Sequence, residues 1–267
     1  MSLDEQLNNL NLNELKNSDI LCVTTFTKKL YDEYSYRFLD TYNLPYDLTI
    51  YSEDNLDFLK EKITKFTNIN IKLINSYEKI KELVSFVNCN NSRNKKDVNE
   101  GGFRKDGVRF CYKVFVVTDL GLDIIKQSKY KYLIWLDADI IFKKPIEIDL
   151  LKQKLIDNNT MMSYLGRGLK YHSECGFLIF NLSHSKIKEY FEEMMRMYVS
   201  NDIYKEREWH DSYIWDVVRK KFETKFKIKN KNIGSKDKTI NDIIGNTFLF
   251  EYFYHLKGKR KYDYKNN

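Results

Sequence analysis

The chain predicts an α/β fold: a single domain whose mostly parallel central sheet is flanked by helices. Three observations carry that prediction. Apolar runs of strand length alternate with stretches of helical spacing through the first half. The 267 residues are enough for one large core and too few for two such domains with separate functions. The apolar run Tyr132–Leu136 stops abruptly at two carboxylates, as an interior strand does where it meets a ligand beyond its carboxyl end.

Residues 1–18 form a polar, acidic leader unlike a signal peptide, and residues 19–267 are expected to make the domain. Ile20–Phe26 (ILCVTTF) is a β-branched run, and Lys28–Thr41 follows with Leu30, Tyr34, Phe38 and Tyr42 at helical spacing. The pattern repeats as strand Leu48–Tyr51, helix Asp54–Phe66, strand Ile69–Ile74 and helix Tyr77–Val87. At the carboxyl end of the first strand, Thr24, Thr25 and Phe26 are placed to line a base and ribose pocket. The plainer reading makes them strand-end residues with no ligand.

Residues 88–106 (NCNNSRNKKDVNEGGFRKD) are polar and aperiodic and predict an exposed, mobile loop, either a lid or a connection. From Gly107 the apolar pattern returns, with Val108, Cys111, Phe115 and Leu122 on a core face. Arg109 and Lys113, four apart, share another face, which is either a phosphate-facing stripe or a solvated one.

Asp137 and Asp139 are separated only by Ala138, and Ile140–Phe142 resumes an apolar run, as though a second short strand carried the pair on a sharp bend. Two carboxylates facing each other repel unless a cation lies between them. Hard oxygen ligands with room for phosphate oxygens suit Mg²⁺ or Mn²⁺, so the pair implies a metal-bound diphosphate. The alternative is a solvated turn, for which Asp is well suited.

Downstream, Thr160–Leu165 and Gly176–Asn181 read as strands around a segment, Gly166–Cys175, that holds Arg167, His172 and Glu174 and is suited to an acceptor rim. Ser185–Val199 is an amphipathic helix with Met194, Met195 and Met197 as core filler. Asp211 or Ser212 is expected to cap a helix over Tyr213–Phe222. Near the C-terminus, His255, Gly258 and Lys261 have offsets that do not share one helix face, so the segment reads as a loop wrapped around a small ligand. A neutral imidazole completes a carboxylate-held Mn²⁺ site, Gly258 lets the backbone approach, and Lys261 neutralises a leaving diphosphate. A basic tail with an incidental histidine is the competing reading.

Composition narrows the classes. The net charge of +7 favours anionic ligands, whether nucleotide diphosphates, phospholipid headgroups or nucleic acid. No apolar run approaches the ~20 residues needed to cross a bilayer. A cytoplasmic protein is expected, compatible with contact at a membrane surface. The four cysteines lack C-x-x-C spacing and read as reduced thiols.

Three signals in order, D-A-D at 137–139, G-F-L-I-F-N at 176–181 and H-x-x-G-x-x-K at 255–261, resemble the GT-A glycosyltransferases, particularly the glycogenin-like and galactosyltransferase-like family 8. V-R-F-C-Y-K-V-F, W-L-D-A-D, Y-L-G-R and H-D-S also look like a set found in microbial and viral glycosyltransferases. The chain departs from the family after its final lysine, where Tyr262-Asp263-Tyr264 stand in place of aromatic and proline residues. The resemblance implies a nucleotide-sugar donor, usually a UDP-sugar, with Mn²⁺ or Mg²⁺ held by Asp137, Asp139 and His255, and with Gly258 and Lys261 on the diphosphate. It places Asp211 near the donor sugar and acceptor, as base or as orienting group, and makes residues 251–267 the segment closing the donor site. A glycan, lipid-linked or protein hydroxyl would be the acceptor, and no nucleic acid is expected.

Two rival classes share part of this pattern. A haloacid-dehalogenase-like phosphatase also carries an aspartate pair after a strand, but has Thr or Val where Ile141 stands. A non-catalytic nucleic-acid- or sugar-binding domain suits the basic charge and gives no reason for the acid pair.

Overall fold

The computed structural model describes residues 15–76, 80–168, 171–234 and 243–264. Residues 1–14 of the expected leader and 77–79 of the helix expected over Tyr77–Val87 lie outside the described residues, as do 265–267 of the C-terminal segment.

Nine strands are described: β1 (Ile20–Phe26), β2 (Asp47–Ser52), β3 (Ile69–Leu73), β4 (Tyr132–Leu136), β5 (Ile140–Phe142), β6 (Met162–Leu165), β7 (Glu174–Asn181), β8 (Lys231–Asn232) and β9 (Phe253–His255). Seven of them form the central sheet in the order β3-β2-β1-β4-β7-β6-β8. β1 pairs in parallel with β2 and β4, β2 with β3, and β6 with β8, while β7 runs against both of its neighbours. The sheet is therefore mostly parallel, as the strand–helix alternation predicts. β5 and β9 form a separate antiparallel ribbon.

Helices cover both faces. In chain order they are α1 (residues 28–41, with a π-helical stretch Tyr31–Ser35), α2 (Asp57–Lys60), α3 (Ile80–Gly101), α4 (Gly107–Gln127), α5 (residues 148–155), α6 (Ile187–Val199), α7 (Asp211–Phe226) and α8 (Arg260–Asp263). The period-2 alternation of the strands divides their side chains between two cores. Leu21 and Val23 join Leu133 and Trp135 against α3, α4, α6 and α7. Ile20, Cys22 and Phe26 join Ile134 and Leu136 against α1, α5 and the 243–253 segment. A sheet buried on both faces needs continuous apolar runs, which is why β4 and β7 read so clearly. The three methionines of α6 are core residues, as expected from their spacing.

Three expectations are corrected. Residues 88–106 are not a loop: α3 continues through Gly101, and a 3-10 turn spans Gly102–Lys105. Asparagines occupy the inward stripe after Leu83 and Phe86, so no apolar period marks it. Asn90 and Asn94 are buried and satisfied: Asn90 Nδ2 donates to the Phe86 carbonyl and to Asn201, while Asn94 bonds Asp106 and the Val108 amide. The helix expected over Asp54–Phe66 is only the single turn of α2. The cap expected at Asp211 or Ser212 is also absent: His210 is the N-cap residue of α7, and Asp211 is its first helical residue with its carboxylate engaged elsewhere.

Candidate functional site

β4 ends at Leu136, and the chain bends through Asp137, Ala138 and Asp139 before β5 begins at Ile140. The Ile140 amide donates to the Asp137 carbonyl at 3.1 Å and closes the bend. The sharp turn after a buried strand is what the sequence predicts.

The β5–β9 ribbon brings the distant histidine to this bend. Its register sets Ile140 against His255, one residue past Asp139, and the Leu256 amide donates to the Asp139 carbonyl at 3.1 Å. His255 Nε2 consequently stands 2.9 Å from Asp139 Oδ1 and 3.4 Å from Asp137 Oδ2. Glu174, at the start of β7, approaches the other ring nitrogen at 3.9 Å. Asp137, Glu174 and His255 present ligand atoms within 4.8 Å of one another.

Glycine makes room for the ring. Leu136 pairs with Phe177, the Asp137 amide donates to the Gly176 carbonyl, and the imidazole packs directly over Gly176. A Cβ at residue 176 would lie 2.3 Å from His255 Cε1. An isolated glycine inside a buried strand is the sequence signal for such an approach.

A cationic strut lies behind the pair. Lys113 of α4 is buried and its ammonium serves Asp137 Oδ1 at 3.0 Å, Asp211 Oδ2 at 2.8 Å and the Cys175 carbonyl. Trp135 Nε1 donates to the same Asp137 oxygen at 2.7 Å. Burial opposes ionisation of Asp137, but Lys113, then His255 and Trp135, outweigh it and hold the carboxyl far below its ordinary range. Asp139 is likewise lowered, burial being outweighed chiefly by His255 and then by Lys261. Burial pulls His255 down, and the charges of Asp139, Asp137 and Glu174 override it and raise the imidazole to about 10.

Lys261 Nζ reaches Asp139 Oδ2 at 2.8 Å and lies 4.5 Å from the Tyr34 ring. Arg37 of α1 donates to the carbonyls of Lys261 and Tyr264, docking this segment on α1. Gly258, at φ +58°, has nothing within 4 Å of where a side chain would be. Lys257 pairs with Glu174.

Two buried atoms test whether these residues fit a cation. Asp139 Oδ1 and His255 Nε2 face each other at 2.9 Å as a buried ion pair, without the alignment of a regular hydrogen bond. A metal ion would take the place of the proton that this pair holds, since imidazole and carboxylate ligands bind a metal deprotonated. Carboxylate oxygens and an imidazole nitrogen are the donors of a Mn²⁺-type site, so the residues fit.

The structure brings together Asp137, Asp139, His255, Lys261, Lys113 and Asp211. Arg167 lies at the margin, donating to the His172 carbonyl at 2.6 Å and approaching Glu174 at 3.8 Å. Arg109 stays exposed over the Phe110 ring, one turn from Lys113, so the expected two-cation stripe is reduced to one buried lysine. Thr24 and Phe26 are fully buried, and Phe26 packs with Tyr31 and Phe58, so neither lines an open pocket. Thr25 alone of the three is partly exposed, its hydroxyl donating to the Tyr51 carbonyl and to Glu53. Glu174 and Gly176 as supports of His255, and Lys113 as a tie between two aspartates, were not legible as such.

A separate groove of about 670 Å³ opens between α3, α4 and α6, lined by Leu122, Ile125, Met195 and Val199 within a charged rim, and shares no residue with this site. No helix among the described residues is long and apolar enough to cross a membrane.

No family model matches the chain, and no curated protein matches it. Among solved structures it is similar to mouse xyloside xylosyltransferase 1 in its apo form, at 10% identity and TM-score 0.46 over 76% of this chain and 82% of that one. The WbbM bifunctional glycosyltransferase gives 13% and 0.46 over 78% of this chain and 38% of that one. Core-mannan synthase A from Aspergillus fumigatus, in an Mn/GDP form, gives 8% and 0.47 over 78% and 73%.

Proposed function

We propose that this chain is a GT-A-type, metal-dependent glycosyltransferase that moves a sugar from a nucleotide-diphosphate donor, a UDP-sugar in our reading, to an acceptor hydroxyl. One observation carries the reading: His255 converges on Asp137 and Asp139, its Nε2 standing 3.4 and 2.9 Å from their carboxylate oxygens. A solvated turn or an incidental tail histidine gives no reason for that convergence.

In this reading Asp137, Asp139 and His255 hold Mn²⁺ or Mg²⁺, and Glu174 steadies the imidazole from behind. Such an ion, when bound, neutralises phosphate charge and eases departure of the nucleotide diphosphate. The chain's own groups do the rest. Lys261, close to Asp139, turns to the diphosphate, and the open backbone at Gly258 receives its oxygens. Lys113 holds the carboxylates of Asp137 and Asp211 in place, and Asp211 accepts a hydrogen bond from a sugar hydroxyl and so orients donor or acceptor. Arg167 lies on the rim where an acceptor enters, and Thr25 with Glu53, at the carboxyl ends of β1 and β2, faces the nucleoside.

The test is a panel of nucleotide sugars assayed for released nucleotide diphosphate, with and without Mn²⁺ after chelation. Metal-dependent release from one donor, abolished by Asp139→Asn, is expected. A chain that neither binds nor turns over any sugar nucleotide with either metal refutes the proposal.

A further inference from the structure

We infer that His172, Glu208 and His210 form a second divalent-metal site, of the two-imidazole, one-carboxylate kind that suits Zn²⁺. It shares no residue with the acid pair and does not depend on the donor chemistry proposed above.

The local sequence builds the site by alternation. Residues 206–210 run as a loop into α7, with His210 in an extended conformation at φ −73° and ψ 157°. Successive side chains of extended backbone point to opposite sides, so Glu208 and His210 share a side while Trp209 turns the other way into the core. Trp209 anchors the loop: its amide donates to the Arg104 carbonyl at 2.8 Å, and its ring packs edge-on against Tyr204. Lys105 Nζ adds a bond to the Arg207 carbonyl at 2.8 Å. The loop is therefore held before any ligand arrives.

His172 completes the set from the segment before β7. Its Nε2 lies 3.3 Å from Glu208 Oε2, and His210 Nε2 lies 3.0 Å from the same oxygen. All three ligand atoms fall within 4.8 Å of one another. Zn–N and Zn–O bonds of about 2.0–2.2 Å in a tetrahedron separate ligand atoms by about 3.3–3.5 Å, the spacing approached here. His172 and His210 both turn Nε2 to the same Glu208 oxygen, which sets two imidazole nitrogens and a carboxylate around one point.

Both rings are oriented by packing. His172 meets Tyr213 edge-on at 4.8 Å, and His210 lies between Phe103 at 5.5 Å and Phe110 at 6.2 Å. Arg207 takes the other carboxylate oxygen, Oε1, at 3.3 Å and leaves Oε2 to the histidines. Arg104 stands 3.8 Å from Oε2, but its side chain is 62% exposed and has solvent to swing into. The His172 side chain is 21% exposed, so solvent reaches that side of the cluster. His210 directly precedes Asp211, so an ion here ties the loop that leads into α7 to the rim segment carrying Arg167.

The experiment is Zn²⁺ titration calorimetry on tag-free, metal-stripped chain carrying Asp139→Asn, which removes one carboxylate of the acid pair. One Zn²⁺ per chain is expected, and none after a further His172→Ala or Glu208→Gln. Zn²⁺ is also expected to raise the melting temperature of Asp139→Asn but not of the double variants. X-ray absorption of the zinc-loaded Asp139→Asn chain needs no change at the site itself, and two imidazoles at about 2.0–2.1 Å are expected. No bound zinc, binding indifferent to His172, or a first shell without imidazole overturns the inference.

Discussion

His255 Nε2 and Asp139 Oδ1 stand 2.9 Å apart as a buried ion pair. Their residues are brought together by three rungs of the β5–β9 ladder rather than by proximity in sequence. Removing the carboxylate leaves His255 and Lys261 without their shared counter-charge. We expect Asp139→Ala to lower donor turnover about a thousandfold, equivalent to about 4 kcal/mol of barrier. Release of nucleotide diphosphate in Mn²⁺-supplemented buffer measures it, and near-normal turnover contradicts the assignment.

Lys113 is the sole cation within salt-bridge distance of both Asp137 and Asp211 among the described residues. Lys113→Met strands two carboxylates, one of them deeply buried, and breaking a buried ion pair from one side costs about 3–5 kcal/mol. The urea midpoint should fall accordingly. Adding Asp211→Asn should restore part of the loss, whereas additive losses would mean that the contacts are independent.

Gly176→Ala drives a methyl into the His255 ring. β7 is pinned between β4 and β6, so the imidazole has to yield. Overpacking of this kind costs about 1–3 kcal/mol. Mn²⁺ affinity, followed by the electron paramagnetic resonance of the free ion, should drop while far-ultraviolet circular dichroism stays native. Unchanged Mn²⁺ affinity would separate His255 from the metal.

Glu53 gives a pH signature. Burial raises its carboxyl to about 7, against the lowering effect of its bond from Thr25. Between the ordinary value of 4.5 and about 7 the folded chain holds a proton that the unfolded chain has released, so this contribution to stability declines as pH rises through that window. Glu53→Gln keeps an acceptor for Thr25 and removes the titration. The variant should be more stable than the parent at pH 8 by chemical denaturation, with the difference shrinking towards pH 5. A constant difference across that range would show that Glu53 does not titrate there.

What the sequence made legible follows from how each element is stabilised. β1, β4 and β7 are buried on both faces and must be apolar throughout, so they read directly. The acid pair was legible because charge set hard against a buried run is costly unless a counter-charge or a ligand meets it. α3 was hidden because its inward stripe is completed by Asn90 and Asn94, whose amides bond neighbouring elements where apolar side chains usually pack. Thr24 and Phe26 misled because strand position alone does not reveal that α1 and α2 cover that end of the sheet; Phe26 packs on Tyr31 and Phe58. Lys113 looked like half of a surface stripe with Arg109, and only the tertiary fold buries one and leaves the other in water.

The three-rung ribbon turns the histidine's placement into a problem of counting. Sliding β9 by one residue past β5 would present Tyr254 at the acid pair and send the imidazole to the opposite face. Length changes among residues 143–252 that leave those rungs intact would not alter that placement. Mutational drift at this site is therefore constrained in parity far more tightly than in chain length, and a single-residue deletion between 249 and 253 would do more damage there than a long insertion in a surface turn.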